Sequence, residues 1–163
     1  MTSDTNGIVV VRSTVADVAA WNELASEVER EFGARLVGTE DWTSRLLAHI
    51  NGGQAWCARS AADSSIVGGM WLSYGSADTV TLSWLAVRSA HRRQGIGRAL
   101  VETALAVAAG RAMRVVTFGE GHPLQSEAGA ARALYLKLGF EPTAEIVPIG
   151  PDGTPRAVLR YNR

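Results

Sequence analysis

Short β-branched runs alternate along the chain with segments whose apolar residues recur every three or four positions. The first run, Ile8-Val9-Val10-Val11, predicts a buried strand. A helix is predicted next, from a cap at Thr14 to a stop at Gly33, and a shorter one at Trp42–His49. The first helix has an apolar stripe at helical spacing: Val18, Trp21, Ala25, Val28 and Phe32.

Three strand-like runs follow, separated by turn-forming residues. They cover Gln54–Ser60, Ile66–Tyr74 and Val80–Val87. Because the intervening loops are short, we expect these strands to pair antiparallel. Each run carries one tryptophan, and the first also carries the only cysteine. These residues are expected in the core: Trp56, Trp71, Trp84 and Cys57.

In the second half of the chain, one helix is predicted to follow the segment Arg88–Arg98 and to end at Gly110. A second helix is predicted to cover Glu127–Leu138. Strands are predicted at Arg114–Phe118, Glu141–Ile149 and Ala157–Tyr161. The element order is therefore β-α-α-β-β-β-α-β-α-β-β. It predicts an α+β fold in a single domain over residues 1–163, with a mixed, mostly antiparallel central sheet flanked by helices.

Composition narrows the class of protein. The 163 residues are 47% apolar and 20% charged, as in ordinary globular domains. The single cysteine excludes a cysteine-cluster metal site and suggests a reducing compartment. The longest purely apolar run, Ala104–Ala109, is far too short to span a bilayer, and Met1–Gly7 lacks the features of a signal peptide. We therefore expect a cytoplasmic protein that uses no metal and no membrane.

The formal net charge is zero, but the charges are unevenly distributed. Residues 1–50 hold four arginines against eight acids, a balance of −4, whereas residues 88–114 hold six arginines against one acid, a balance of +5. Guanidinium groups bind phosphate in a bidentate manner, so the arginine-rich part suggests an anion site. Because the basic residues are concentrated in one loop without interleaved stacking residues, nucleic-acid binding is disfavoured.

The segment Arg92-Arg-Gln-Gly95-Ile-Gly97-Arg98 lies between a predicted strand and a predicted helix. Glycines let the backbone N–H groups of a tight loop point inward together, and the helix adds its positive N-terminal end. A Walker loop would need Gly-Lys-Ser/Thr, and a dinucleotide fingerprint would need a glycine where this chain has Leu100. The segment favours a phosphate site over the alternative, a solvated basic loop that caps a helix.

Two motifs resemble those of the GNAT family of N-acetyltransferases. One is Leu85-Ala86-Val87 followed by Arg92-x-x-Gly95-x-Gly97, and the other is Ala131-x-x-Leu-Tyr135-x-Lys-Leu-Gly-Phe140. The order of predicted elements also matches that family over essentially the whole chain. The resemblance implies an acetyl-CoA-dependent enzyme with the GNAT fold, in which strands Val80–Val87 and Arg114–Phe118 part to admit the pantetheine arm.

The resemblance also implies which residues contact the cofactor. The strand backbone would pair with the pantetheine arm, and the loop amides with their arginines would hold the pyrophosphate. The residues concerned are Leu85, Ala86, Val87, Arg92, Arg93, Gln94, Gly95, Ile96, Gly97, Arg98, Ala131 and Tyr135. An asparagine that is frequent in the family is Ala128 here, so that side-chain contact must be lost or come from the loop.

Acyl transfer from a thioester to an amine needs a base for the amine and an acid for the departing thiolate. By resemblance, Tyr135 is the acid, and the alternative is a packed aromatic side chain. Many relatives place a glutamate base where this chain has Thr81, which cannot serve. We expect Glu120 or His122 to take that role, with a water chain as the alternative.

The acceptor is expected to be an amine of a small molecule or a peptide. Glu27 and Glu31 lie one turn apart on the acidic first helix and would attract a cationic amine, although a solvated face is the usual explanation. Trp84 is expected to line the acceptor pocket, with core packing as the alternative. A non-catalytic acyl-CoA-binding regulatory module, an O-acyltransferase and a homodimeric assembly all stay open.

Overall fold

The computed structural model describes residues 7–32, 35–117, 125–147 and 156–162, with the helix backbone alone at 30–32 and 125–130. Seven strands and four helices lie in these ranges. The strands are β1 (Ile8–Arg12), β2 (Ala55–Ser60), β3 (Ile66–Ser73), β4 (Thr79–Val87), β5 (Ala112–Thr117), β6 (Glu141–Val147) and β7 (Arg156–Tyr161). The helices are α1 (Val18–Phe32), α2 (Glu40–Asn51), α3 (Ile96–Ala108) and α4 (Gln125–Lys137).

The predicted order of helices and strands is confirmed, and the differences lie at element ends. Thr14 precedes a 3₁₀ turn, Val15–Asp17, and the α-helix begins only at Val18. Helix α2 begins earlier than predicted because the Thr39 hydroxyl accepts a hydrogen bond from the Trp42 backbone N–H, at 3.2 Å.

The sheet has the strand order β1-β2-β3-β4-β5-β7-β6. Every neighbouring pair is antiparallel except β4 and β5, which are parallel and are connected through α3. The mostly antiparallel sheet of the sequence prediction is therefore confirmed. A parallel pair needs such a crossover, and this one places the start of α3 at the carboxyl end of β4.

Each face of the sheet carries its own apolar core. On one face α3 and α4 pack over the strands through Leu100, Val101 and Tyr135. On the other face α1 and α2 pack through Trp21 and Trp42. The expected core residues are buried, with Trp56, Trp71 and Cys57 at most 5% exposed, whereas Trp84 is half-buried.

Two adjacent glycines in β3 allow both layers of helices to approach the sheet closely. A Cβ at Gly68 would lie 3.1 Å from the Ile96 side chain of α3, and a Cβ at Gly69 would lie 2.4 Å from the Trp21 ring of α1. Only glycine fits at Gly69, because real Cβ atoms do not come that close to another atom.

Among the described residues, no helix is long and apolar enough to cross a membrane. The same ranges contain no cluster of three or more His, Cys, Asp and Glu side chains that could hold a metal ion.

Candidate functional site

Strands β4 and β5 pair along only part of their length. The parallel pairing joins Thr79–Leu82 to Ala112–Val115, and β4 then continues to Val87. Beyond that point β5 stays paired with β7 on its other side, as far as Thr117. The two strands therefore part after Leu82 and leave a gap beside the second half of β4.

A β-bulge in β4 lies where the gap begins. Trp71 pairs with Trp84 and Leu72 pairs with Leu82, so Ser83 is the extra residue. The bulge reverses which face successive side chains point to: Leu82 lies in the α3 core, and Trp84 lies in the α1 and α2 core. Ser83 thus sits at the closed end of the gap.

Two residues of β4 turn their backbone N–H and C=O groups towards the gap. The Arg88 N–H donates to the Val67 carbonyl of β3, at 2.9 Å. Because the backbone groups of a paired strand alternate in direction, the N–H and C=O groups of Val87 and Leu85 point away from β3. Those of Ala86 point towards β3, and its side chain is buried. The Val87 carbonyl accepts one hydrogen bond from Arg92 Nε, at 3.1 Å, which leaves its second lone pair available.

The loop between β4 and α3 has two residues in the left-handed region. Arg93 has φ of 61° and Gly95, the residue that precedes α3, has φ of 82°. Left-handed residues occur in anion-binding nests, in which backbone N–H groups turn towards one point, and we refer to the turn Arg93–Gly95 as the nest. A non-glycine residue in this region costs about 1–2 kcal/mol, and such strain is concentrated at functional sites. This is the loop in which the sequence predicts a phosphate site.

The side chains of this loop separate into buried and exposed groups. Ile96 is buried in the α3 core, and Gly97 lies where a Cβ would be 3.2 Å from the Leu134 side chain of α4. The polar members are exposed, namely Arg92, Arg93, Gln94 and Arg98. Arg98 forms an ion pair with Glu102 one turn later, with 2.8 Å between Nε and Oε1. Three of these exposed residues are arginines, so the loop carries a concentration of positive charge at the surface.

Helix α1 holds the start of the same loop. Glu27 accepts hydrogen bonds from the backbone N–H and the hydroxyl of Ser89, at 2.5 and 2.6 Å, and its other oxygen is 3.7 Å from Arg88. Burial raises the pKa of Glu27, but the hydrogen bonds from Ser89 and the charges of Arg88 and Arg92 outweigh it and lower that pKa. The sequence analysis did not predict this contact. The negative balance of residues 1–50 and the positive balance of residues 88–114 were consistent with it, because opposite charges attract.

This contact changes the interpretation of the acidic helix. The Glu27 carboxylate was expected to face an amine substrate, and it is instead engaged by the loop. The Glu31 side chain lies outside the described residues, as do the two predicted bases Glu120 and His122.

Tyr135 lies on α4 and is 4% exposed. Its ring is 5.6 Å from that of Phe140, and Ala131, one turn earlier, packs against the same core. Burial raises the pKa of Tyr135 far above its ordinary value near 10, because the phenolate would lose its hydration. The phenol is therefore protonated throughout the neutral range, as a proton donor must be.

A polar chain that sequence reasoning did not single out lies on the opposite face, beside the bulge. Ser83 Oγ is 3.2 Å from Ser73 Oγ, which in turn is 3.5 Å from His49 Nε2 on α2. The His49 ring stacks on Trp71, with 4.6 Å between ring centroids. Trp84, expected at the acceptor pocket, lies nearby in a cluster of rings with Trp71 and two others, Trp21 and Trp42.

Part of the chain matches a known family model. Residues 51–142 match the model described as an acetyltransferase (GNAT) domain. The chain is 30% identical over 155 residues to the mycothiol acetyltransferase of Parafrankia sp. (strain EAN1pec), a match that covers 89% of this chain and 45% of that protein. It is 33% identical over 106 residues to the mycothiol acetyltransferase of Clavibacter sepedonicus, covering 65% of this chain and 32% of that protein. The chain thus spans less than half the length of these relatives.

Solved structures show the same fold. A GNAT-family acetyltransferase from Bacillus cereus ATCC 10987 superposes with a TM-score of 0.74 at 17% identity, covering 96% of this chain and 97% of that one. The paia N-acetyltransferase from Thermoplasma acidophilum, in complex with coenzyme A, gives 0.72 at 16% identity, covering 96% and 99%. Both matches span nearly the whole of each chain, so the fold predicted from the sequence motifs is confirmed.

Proposed function

Because the chain belongs to the GNAT acetyltransferase domain family, we propose that it transfers an acetyl group from acetyl-CoA to an amine. One observation carries the proposal. The gap between β4 and β5 exposes backbone groups of Leu85 and Val87, and its open end leads to the nest before α3. An extended amide-containing chain that ends in a pyrophosphate matches both parts of this surface.

The acetyl-CoA molecule would follow the gap from the loop to the bulge. Its pyrophosphate would accept hydrogen bonds from the loop amides of Arg93–Arg98, with the exposed guanidinium groups neutralising its charge. Its pantetheine amides would pair with Leu85 and Val87 as an added strand does. The thioester would then lie at the closed end of the gap, near Ser83. Gly97 supports this arrangement, because a larger residue would push α4 away from the loop.

We assign the chemistry to direct attack of the amine on the thioester carbonyl. Tyr135 would donate its proton to the departing CoA thiolate. A covalent acyl-cysteine intermediate finds no support, since Cys57 is fully buried and burial raises the pKa of its thiol, which keeps it a poor nucleophile. The free thiol and the use of acetyl-CoA fit a reducing, cytoplasmic setting.

The acceptor would approach from the α1 and α2 face, where Trp84 is half-buried beside the bulge. A small-molecule amine and a peptide N-terminus are both compatible with this face. One solved structure with a similar fold, Arabidopsis thaliana Naa50, is in complex with the bisubstrate analogue CoA-Ac-MVNAL, at a TM-score of 0.71. Peptides with free N-termini therefore belong among the acceptors to be tried.

Release of free CoA from acetyl-CoA is the direct test. The full chain would be incubated with acetyl-CoA and a panel of amino sugars, polyamines, peptides and simple alcohols, with CoA affinity measured separately by calorimetry. Transfer to an amine supports the proposal. Tight CoA binding without transfer to any acceptor would point to a regulatory binding module, and transfer to alcohols alone would point to an O-acyltransferase.

A further inference from the structure

We propose that His49, acting through Ser73 and Ser83, receives the proton that the acceptor amine loses during acetyl transfer. The proposal rests on the proposed function. It follows from three features of the structure: the residue at which the hydroxyl chain begins, the nitrogen of His49 that can accept a proton, and the residue that stands where many relatives carry a glutamate base.

The hydroxyl chain begins where the thioester would lie. Ser83 is the bulged residue at the closed end of the gap, and its hydroxyl is half-buried on the face that α1 and α2 cover. Its Oγ atom is 3.2 Å from Ser73 Oγ. In the structure the Ser73 hydroxyl donates to Ser83, and the Ser83 hydroxyl donates to the Trp71 carbonyl at 3.3 Å. A hydroxyl hydrogen can rotate, and each hydroxyl both donates and accepts, so the two can pass a proton towards His49 once both have turned.

The hydrogen bond at Nδ1 determines the tautomer of His49. Nδ1 is 2.7 Å from the Arg45 carbonyl, which can only accept, so Nδ1 carries the hydrogen. In the neutral ring Nε2 is then a bare acceptor, 3.5 Å from Ser73 Oγ. This separation is long for a hydrogen bond, as is common in catalytic sites before the substrate binds. Stacking on Trp71 holds the ring in this direction, with an interplanar angle of 15°.

The hydroxyl chain also lies beside the strand position at which many relatives carry a glutamate base. Thr81, which stands at the position of the glutamate seen in many relatives, pairs directly across the sheet with Ser73. The polar route thus starts at Ser73, the residue directly opposite Thr81, and leads to the imidazole of His49. A neutral imidazole has a basic nitrogen that can accept a proton, whereas a threonine hydroxyl is not a base.

The proton transfer balances as follows. The lone pair of the neutral amine attacks the carbonyl carbon, and the new N–C bond leaves an excess proton on nitrogen. That proton passes to Ser83 while the Ser83 hydrogen moves to Ser73 and the Ser73 hydrogen moves to His49 Nε2. The C–S bond then breaks, and the CoA thiolate takes a proton from Tyr135. Exchange with solvent restores both side chains after the products leave.

Among the described residues, few charged groups lie around the His49 ring. On its own helix the nearby charged groups are Arg45 and Asp41, which form an ion pair with each other at 3.6 Å, and the Arg45 guanidinium lies over the Trp71 ring. Strand β3 presents Ser73 and Trp71 to it, neither of which titrates near neutral pH.

The first test is spectroscopic and needs no acceptor. In the full chain labelled with ¹⁵N-histidine, the His49 signals are identified by their loss in His49→Gln. We expect the tautomer with hydrogen on Nδ1, and a change of the Nε2 shift in Ser73→Ala but not in Ser76→Ala, an exposed serine in the β3–β4 turn. The opposite tautomer, or an unchanged Nε2 shift in Ser73→Ala, would overturn the relay.

The second test uses acetyl transfer to whichever amine the panel identifies. His49→Gln should lower kcat/KM about 100-fold at neutral pH and remove the decline in rate on the acid side, with CoA affinity unchanged. Ser83→Ala should have a similar effect, and the double variant should lose little more, because both act in one chain. Normal transfer and an unchanged pH profile in both single variants would overturn the relay alone. A wild-type chain that transfers nothing would instead overturn the proposed function and the relay with it.

Discussion

Glu27 on α1 accepts two hydrogen bonds from Ser89, one from the backbone N–H at 2.5 Å and one from the hydroxyl at 2.6 Å. Ser89 opens the short 3₁₀ turn that links β4 to the phosphate loop. A helix on one face of the sheet therefore holds the first turn of a loop that leads to the helix on the other face. The loop depends on α1 for its position as well as on its own glycines.

Substitution of Glu27 by Gln should loosen this turn. Hydrogen bonds to a charged acceptor contribute more than neutral ones, so we expect the free energy of unfolding to fall by about 1–2 kcal/mol and the affinity for CoA to fall several-fold. Urea unfolding and calorimetric titration with CoA measure the two effects. Glu23→Gln is the matched control, because Glu23 contacts only the Arg88 side of the turn and is 72% exposed. Equal effects of the two substitutions would contradict the proposed role of Glu27.

The same carboxylate predicts a pH dependence of stability. The pKa of Glu27 in the folded chain is lower than the ordinary value of 4.5, so its ionised form is favoured by folding. Its contribution is fully present above about pH 4.5 and is lost as the pH falls through the lower folded pKa. The difference in unfolding free energy between wild type and Glu27→Gln should thus be constant near neutral pH and shrink in acid. If the difference in unfolding free energy grew as the pH fell, the lowered pKa of Glu27 would be contradicted.

Gly95 tests the loop backbone separately from its charges. A Cβ at either Gly95 or Gly75 would have no other atom within 4 Å, but of these two glycines only Gly95 has a left-handed backbone, with φ of 82°. Alanine at Gly95 should therefore cost about 1–2 kcal/mol or distort the nest, and CoA affinity should fall. Alanine at Gly75 should leave both the unfolding transition and CoA affinity unchanged. Unaltered CoA binding by Gly95→Ala would argue against a phosphate nest.

Tyr135→Phe should separate chemistry from binding. The substitution keeps the buried ring against Phe140 but removes the proton donor. We expect kcat to fall about 100-fold with little change in CoA affinity. Tyr74→Phe, at an exposed ring that packs under Arg111, should leave both quantities unchanged. Wild-type turnover by Tyr135→Phe would remove this phenol from the mechanism.

The order of elements was predictable because each has a local cause. Runs such as Ile8–Val11 are short and β-branched, and the stripe on α1 repeats with the period of a helix. The phosphate loop was likewise predictable, since Gly95 and the arginines around it are adjacent in sequence.

The contacts that complete the site were not predictable, because they join residues far apart in the chain. Glu27 meets Ser89 only after α1 has packed on β3 and β4. His49 reaches Ser73 across the boundary between α2 and the sheet, and its partner Ser83 becomes available only through a bulge. A bulge depends on the register of two strands, which the sequence of one strand does not reveal.

The packing of Trp21 on Gly69 yields a final prediction, about stability. A Cβ at Gly69 would lie 2.4 Å from Cη2 of Trp21, and the indole cannot retreat, because it is fully buried and its Nε1 donates to the Ser13 hydroxyl at 2.9 Å. Gly69→Ala should therefore destabilise the chain by about 3 kcal/mol, at the upper end of ordinary overpacking. The smaller ring of Trp21→Phe lacks the clashing atoms, so the alanine should cost about 1–2 kcal/mol less in that background. Urea unfolding of the four proteins in this cycle measures the coupling, and a cost of Gly69→Ala that is the same in both backgrounds would show that the ring is not its cause.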